Sequence, residues 1–104
     1  MLNNERVYLW PSPWIMNVLL DAVELQKGKI VLDQVENGSR SLWYTVEMYG
    51  NIREYRFDIT DIRYNRSRVR LEVHGVPNEK RALNIGRQFA MLESLMAVPH
   101  EIAL

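Results

Sequence analysis

Between residues 29 and 75 apolar and polar side chains alternate, and the alternation breaks at three places: Asn37-Gly38, Gly50-Asn51 and Arg63-Tyr64-Asn65-Arg66. A period of two marks strands with one buried face, and Asn-Gly readily supplies the positive φ angles of a tight hairpin turn. The segment therefore reads as four consecutive antiparallel strands over 29–35, 41–49, 52–61 and 67–75.

Pairing follows from arithmetic. If Gly50-Asn51 is a two-residue turn, Tyr49 faces Ile52, and Val46, Tyr44 and Leu42 fall opposite Tyr55, Phe57 and Ile59. Setting Ile59 opposite Val69 then puts Asp58 across from Arg70, Arg56 from Glu72 and Glu54 from His74 on the other face. A one-residue slip would throw every apolar side chain to the wrong side. Ile30 and Leu32 reach the apolar face only through an odd-numbered loop, so a three-residue connection with Gly38 left-handed is expected.

Residues 7–10 are a short apolar run ended by Pro11, read as a brief edge strand. Ser12 as N-cap and Pro13 at the first helical position open a helix with the stripe Trp14, Ile15, Val18, Leu19, Ala22 and Leu25, closed by Gly28. Met16, Leu20 and Val23 lie off that stripe, so this helix needs cover on more than one side. Pro77 and Asn78 open a second helix, with Ala82, Ile85, Phe89, Leu92 and Met96 facing inward and a stop before Pro99. Two amphipathic helices and one apolar sheet face give a two-layer α+β domain, order β-α-β-β-β-β-α, with both helices on one side and the charged face in water. One domain is expected over 1–104, its core at 7–97 and a tail at 98–104.

This order resembles the strand–helix–four-strand–helix unit of the TATA-binding-protein-like folds, over about residues 7–96. Small bacterial domains of that class, in outer-membrane-assembly lipoproteins and in uncharacterised families, are similar in their amphipathic helix, Asn-Gly hairpin, tyrosine-rich strand pair and closing helix. The resemblance implies a fold whose members bind lipids, nucleic acids or proteins. Carried by element order and not by a motif, it transfers no site residue.

Composition narrows the chemistry. Without cysteine there is no disulfide, thiolate nucleophile, thiolate zinc site or iron–sulfur cluster, and His74 and His100 are the only imidazoles. Nucleophile-elbow, phosphate-loop, dinucleotide and zinc-protease motifs are all missing from the sequence. Asp58 and Asp61, three apart on a strand, point to opposite faces and cannot work as a catalytic pair. His74, beside Glu54, reads as a surface pair. The expectation is a non-enzymatic domain with no cofactor and no metal site. No signal or spanning segment is readable, which points to the cytoplasm.

Three surfaces remain. Trp43 alternates away from Leu42 and Tyr44, so it must be covered by a long neighbour such as Arg56, by the chain around Tyr8 and Trp10, or by a partner. Trp43, Tyr49, Arg56 and Arg70 have the composition of a protein-contact patch, with a second copy of the chain as one such partner. Arg63, Tyr64, Arg66 and Arg68, with Arg70 beyond them, could clamp phosphates and stack a base, making anion or nucleic-acid contact the alternative. Against that stand Asp58 and Asp61, expected to neutralise the hairpin. The third candidate is an apolar-ligand pocket lined by Tyr44, Tyr55, Phe57, Trp14, Met16, Met91 and Met96, or else these residues fill the core.

Overall fold

The chain runs β1 (Glu5–Tyr8), α1 (Ser12–Leu25), β2 (Lys29–Glu36), β3 (Ser39–Met48), β4 (Asn51–Arg63), β5 (Arg66–His74) and α2 (Asn78–Ile102) in a computed structural model that describes the backbone of residues 3–102 and the side chains of residues 3–97. The strands form one antiparallel sheet in the order β1-β5-β4-β3-β2. This is the α+β architecture read from the sequence, with the short N-terminal strand as a fifth member. α1 lies over β3 and β4, and α2 lies over β5 and against α1, so both helices share one face and a single core.

Leu42, Tyr44, Val46, Tyr55, Phe57, Ile59, Val69, Leu71 and Val73 are buried beneath Ile15, Leu19, Ala22, Ile85, Phe89 and Leu92, as the alternation requires. The space between the layers is filled by rings. Tyr44 stacks on Phe57 with centroids 6.2 Å apart, and Phe57 meets Phe89 edge-on at 6.0 Å. The Tyr44 hydroxyl donates to Gln88 Oε1 at 2.8 Å and that of Tyr55 to Asn84 Oδ1 at 2.7 Å, so neither phenol is buried unsatisfied. Burial pushes the Tyr44 phenol well above its ordinary range. Tyr8 is raised as well, first by burial and then by Glu93, which accepts its hydroxyl proton at 2.7 Å.

From Glu54 to Asp61 the pairing of β4 with β5 is the expected one, with Asp58 opposite Arg70 and Glu54 opposite His74, but a register shift after Asp61 pairs Arg63 with Arg66, so the expected connection 63–66 shortens to a two-residue turn. The pairing of β3 with β4 is not the expected one. The turn is Tyr49-Gly50, both at positive φ (53° and 79°), which moves the register by two: Tyr44 faces Tyr55, Leu42 faces Phe57, and Glu47, not Tyr49, faces Ile52. A shift of two keeps every side chain on its face, so alternation alone could not detect it. The β2–β3 connection is likewise a two-residue turn, Asn37-Gly38, and not a three-residue loop. Its even length puts Leu32 on the outer face opposite Trp43, and a bulge at Val31 returns Ile30 to the inner row opposite Tyr44, half exposed.

The helices also differ in detail. β1 starts two residues upstream of the expected 7–10, because the chain turns at Trp10, whose carbonyl accepts from Ser67 Oγ at 2.7 Å. Pro11, and not Ser12, is the N-cap of α1. The cap comes from another strand: Asp61 Oδ1 accepts from the Ser12 N–H at 3.1 Å and Oδ2 from its hydroxyl at 2.8 Å. Because α1 is clamped between the sheet and α2, Met16 and Val23 are buried while Trp14 and Leu25, at the ends of the expected stripe, are exposed. In α2 Ala82 is exposed, and the helix continues past Pro99 to Ile102. A proline removes its own N–H bond and strains the preceding turn, but Leu92 and Met96 anchor that turn in the core. The tail expected at 98–104 otherwise falls outside the described side chains.

Phe57 is fully buried at the centre of the ring cluster. Phe57→Ala should lower unfolding free energy in urea by about 3–5 kcal/mol, and a loss under about 1 kcal/mol would contradict the packing described.

Candidate functional site

With both helices on one side, the other face of the sheet is open. Across its middle runs the row Leu32, Trp43, Arg56, Glu72, one residue each from β2, β3, β4 and β5. Trp43 is covered by its cross-strand neighbour: the Arg56 guanidinium lies 4.3 Å from the indole centroid and pairs with Glu54 Oε2 at 3.1 Å. The stack closes over Trp43 Nε1 and Arg56 Nε, both buried without a hydrogen-bond partner. That desolvation is set against a cation–π attraction of about 0.5–2 kcal/mol. Tyr8 and Trp10 play no part here, since β1 lies at the opposite edge and Trp10 meets Trp14 edge-on at 5.9 Å.

Of the four residues expected to form a protein-contact patch, Trp43 and Arg56 are brought together. Arg70 stands one strand further on, in the adjacent row opposite Asp58. Tyr49 leaves the face altogether: it occupies the β3–β4 turn, 95 % exposed.

The arginine segment is assembled more completely than the sequence implied. On β5, Ser67 and Val69 are fully buried, so Arg66, Arg68 and Arg70 alternate onto the open face. Arg63 pairs directly with Arg66, closing the two-residue turn Tyr64-Asn65. Three arginines thus form one file along β5 with Arg63 of β4 opposite the first of them, and Tyr64 stands at its tip, 94 % exposed.

The acids expected to neutralise this file form hydrogen bonds with serines, although Asp58 stays opposite Arg70 in register. Asp61 caps α1 through Ser12, and Asp58 accepts from Ser41 Oγ at 2.7 Å. Arg6 is 4.0 Å from Glu93, Arg56 pairs with Glu54, and His74 Nε2 lies 3.7 Å from Glu72. Among the described residues none of Arg63, Arg66, Arg68 and Arg70 makes an ion pair. Sequence reading missed the capping role of Asp61, which needs a contact between residues 49 apart. The serines at 12 and 67 gave no signal of it.

Elsewhere, a cavity of about 180 Å³ is lined by Asn4, Leu71, Glu72, Val73, His74, Arg81 and Ile85, at the half of β5 beyond β1. Its acid, amide and imidazole side chains make no metal-ligating cluster, and none is present among the described residues. No helix among these residues is long and apolar enough to cross a membrane. No protein-family model matches the chain, and no curated protein matches it.

The Trp43–Arg56 stack is structural. Trp43→Ala should therefore cost about 1–3 kcal/mol in chemical denaturation, with Trp43→Phe recovering most of it. A change below about 0.5 kcal/mol would show that the indole is not covered by its neighbours.

Proposed function

We propose that this protein is a binding module that holds a polyanion on the open face of its sheet, along β5, through Arg63, Arg66, Arg68 and Arg70. One observation carries the reading: three arginines in file along β5 and Arg63 opposed to the first of them across the hairpin make no ion pair among the described residues. Like charges facing each other across a ladder are destabilising by roughly 0.2–1 kcal/mol. A ligand bearing phosphates removes that cost, and planar guanidiniums bind phosphate oxygens in bidentate fashion.

Binding of this kind is strongly salt-dependent, because each neutralised phosphate releases condensed counterions. A fluorescein-labelled oligonucleotide and inorganic polyphosphate should both bind at low salt, followed by anisotropy and by competition. Replacing Arg63, Arg66 and Arg68 together by glutamine should weaken oligonucleotide binding at least tenfold and flatten the slope of log K against log salt by about 2. The folded state should be unharmed, since these side chains support no core packing. Absence of binding by either polyanion at low salt would remove the proposal.

A second reading, contact with a protein partner including a second copy of the chain, has its own observation. Tyr49 is held at φ 53° with its ring in solvent, beside exposed Met48 and Ile52. A bulky residue in the left-handed region costs about 1–2 kcal/mol, and such strain at an exposed tip is a mark of contact sites. Tyr49→Gly should raise stability by about 1 kcal/mol while weakening self-association in sedimentation. A strict monomer at high concentration would dispose of the homodimer form.

A further inference from the structure

The polyanion reading leaves open which polyanion, and the tip of the file narrows it. Resting on that reading, we infer that the ligand is a single-stranded nucleic acid, with phosphates along Arg66, Arg68 and Arg70 and a base stacked on Tyr64. Three features of the file and its tip support a single strand.

The first is spacing. Alternate residues of a strand stand about 6.7 Å apart, close to the separation of successive phosphates in an extended single strand. Arg66, Arg68 and Arg70 therefore offer one guanidinium per phosphate over about 13 Å, along a single straight line. A duplex would present two backbones flanking a groove, and this flat face offers neither a helix nor a ribbon to enter one.

The second is the ring. Tyr64 sits between the opposed Arg63 and Arg66, with Asn65 beside it at φ 62° and both faces of the phenol open to solvent. Stacking needs an exposed base face, which single strands have and the interior of a duplex does not. Trp43, the other aromatic of the open face, is already occupied by Arg56 and cannot serve as a second platform. The site is therefore short, with a single stacked base at one end.

The third is the far boundary. Arg70 is flanked in register by Glu5 on β1 and Asp58 on β4, and Glu72 follows it on the same face. Phosphates are attracted as far as Arg70 and repelled beyond. The file spans about three phosphates and points from the acidic centre of the sheet towards the tyrosine tip.

The test uses the full chain with labelled dT12, a 12-base-pair duplex labelled in the same way, inorganic polyphosphate, and phosphatidylglycerol vesicles. Expected are tighter binding to dT12 than to the duplex at equal salt, and a roughly tenfold loss for dT12 on Tyr64→Ala. Tyr64→Phe should retain affinity, and competition by polyphosphate should be indifferent to either variant. The exposure of Tyr64 keeps both variants folded, with the thermal midpoint as a control. Unchanged dT12 affinity in Tyr64→Ala, equal binding of duplex, or preference for vesicles would overturn the single-strand inference while polyphosphate binding keeps the broader reading. If neither dT12 nor polyphosphate binds, both fall together.

Discussion

The carboxylate of Asp61 is the knot of this domain. From near the end of β4 it reaches the first residue of α1, accepting the backbone N–H and the hydroxyl of Ser12, and lies 3.3 Å from Ser67 Oγ, whose proton goes to the Trp10 carbonyl. Arg40 Nε donates to the same Ser12 hydroxyl at 3.2 Å. Three strands and the entry to α1 are thereby tied at one end of the sheet. An anion at a helix N-terminus satisfies orphan donors and complements the helix dipole, which fixes where α1 begins and hence how it crosses the strands beneath. A carboxylate spent in this way is less available to its neighbours, and Arg63, Arg66 and Arg68 make no ion pair among the described residues.

Charge is therefore unevenly placed on this face although the whole chain carries 13 basic and 13 acidic residues. Glu47, Glu54 and Glu72 lie towards the β3–β4 turn, whereas Arg63, Arg66 and Arg68 lie towards the opposite end. Net charge describes long-range fields and solubility; contact with a ligand is decided by local arrangement. The edge formed by β2 is managed differently. Seven of its eight residues are exposed, and it carries Lys29, Asp33 in the inner row, and the bulge at Val31. Such devices discourage strand addition, so β2 has the character of a protected edge.

What the sequence made legible follows its physics. Alternation fixes parity, so the buried faces of β3, β4 and β5 could be assigned residue by residue. It does not fix register, so Tyr44–Tyr55 and Leu42–Phe57 emerged only with the turn at Tyr49-Gly50. The aromatic at 49 hid that turn, because tyrosine favours strands and disfavours positive φ. Leu32 was misassigned for the related reason that the turn before β3 has two residues and not three, and Ile30 reaches the inner row only because a bulge reverses the parity beyond Val31. Pairings that depend on distant chain, such as Asp61 with Ser12, leave no periodic trace. The arginine segment was visible as composition, but its lack of ion pairs among the described residues was not, since that depends on which contacts Asp58 and Asp61 make.

The two surfaces are complementary in their geometry. β4 has 13 residues, and its two turns carry Tyr49 and Tyr64 at opposite ends, so contact through the first leaves the second free. A file of about three phosphate contacts has limited affinity at physiological salt, because each contact is weakened by counterion competition. Linking two such files makes the second contact intramolecular and can raise overall affinity by 10²–10⁴ if the ligand spans both. Self-association at the Tyr49 end would supply that link without obstructing the arginines. On the two proposed readings, the left-handed backbone at Tyr49 and the opposed charges at Arg63 and Arg66 would each be an unfavourable feature that a bound partner relieves.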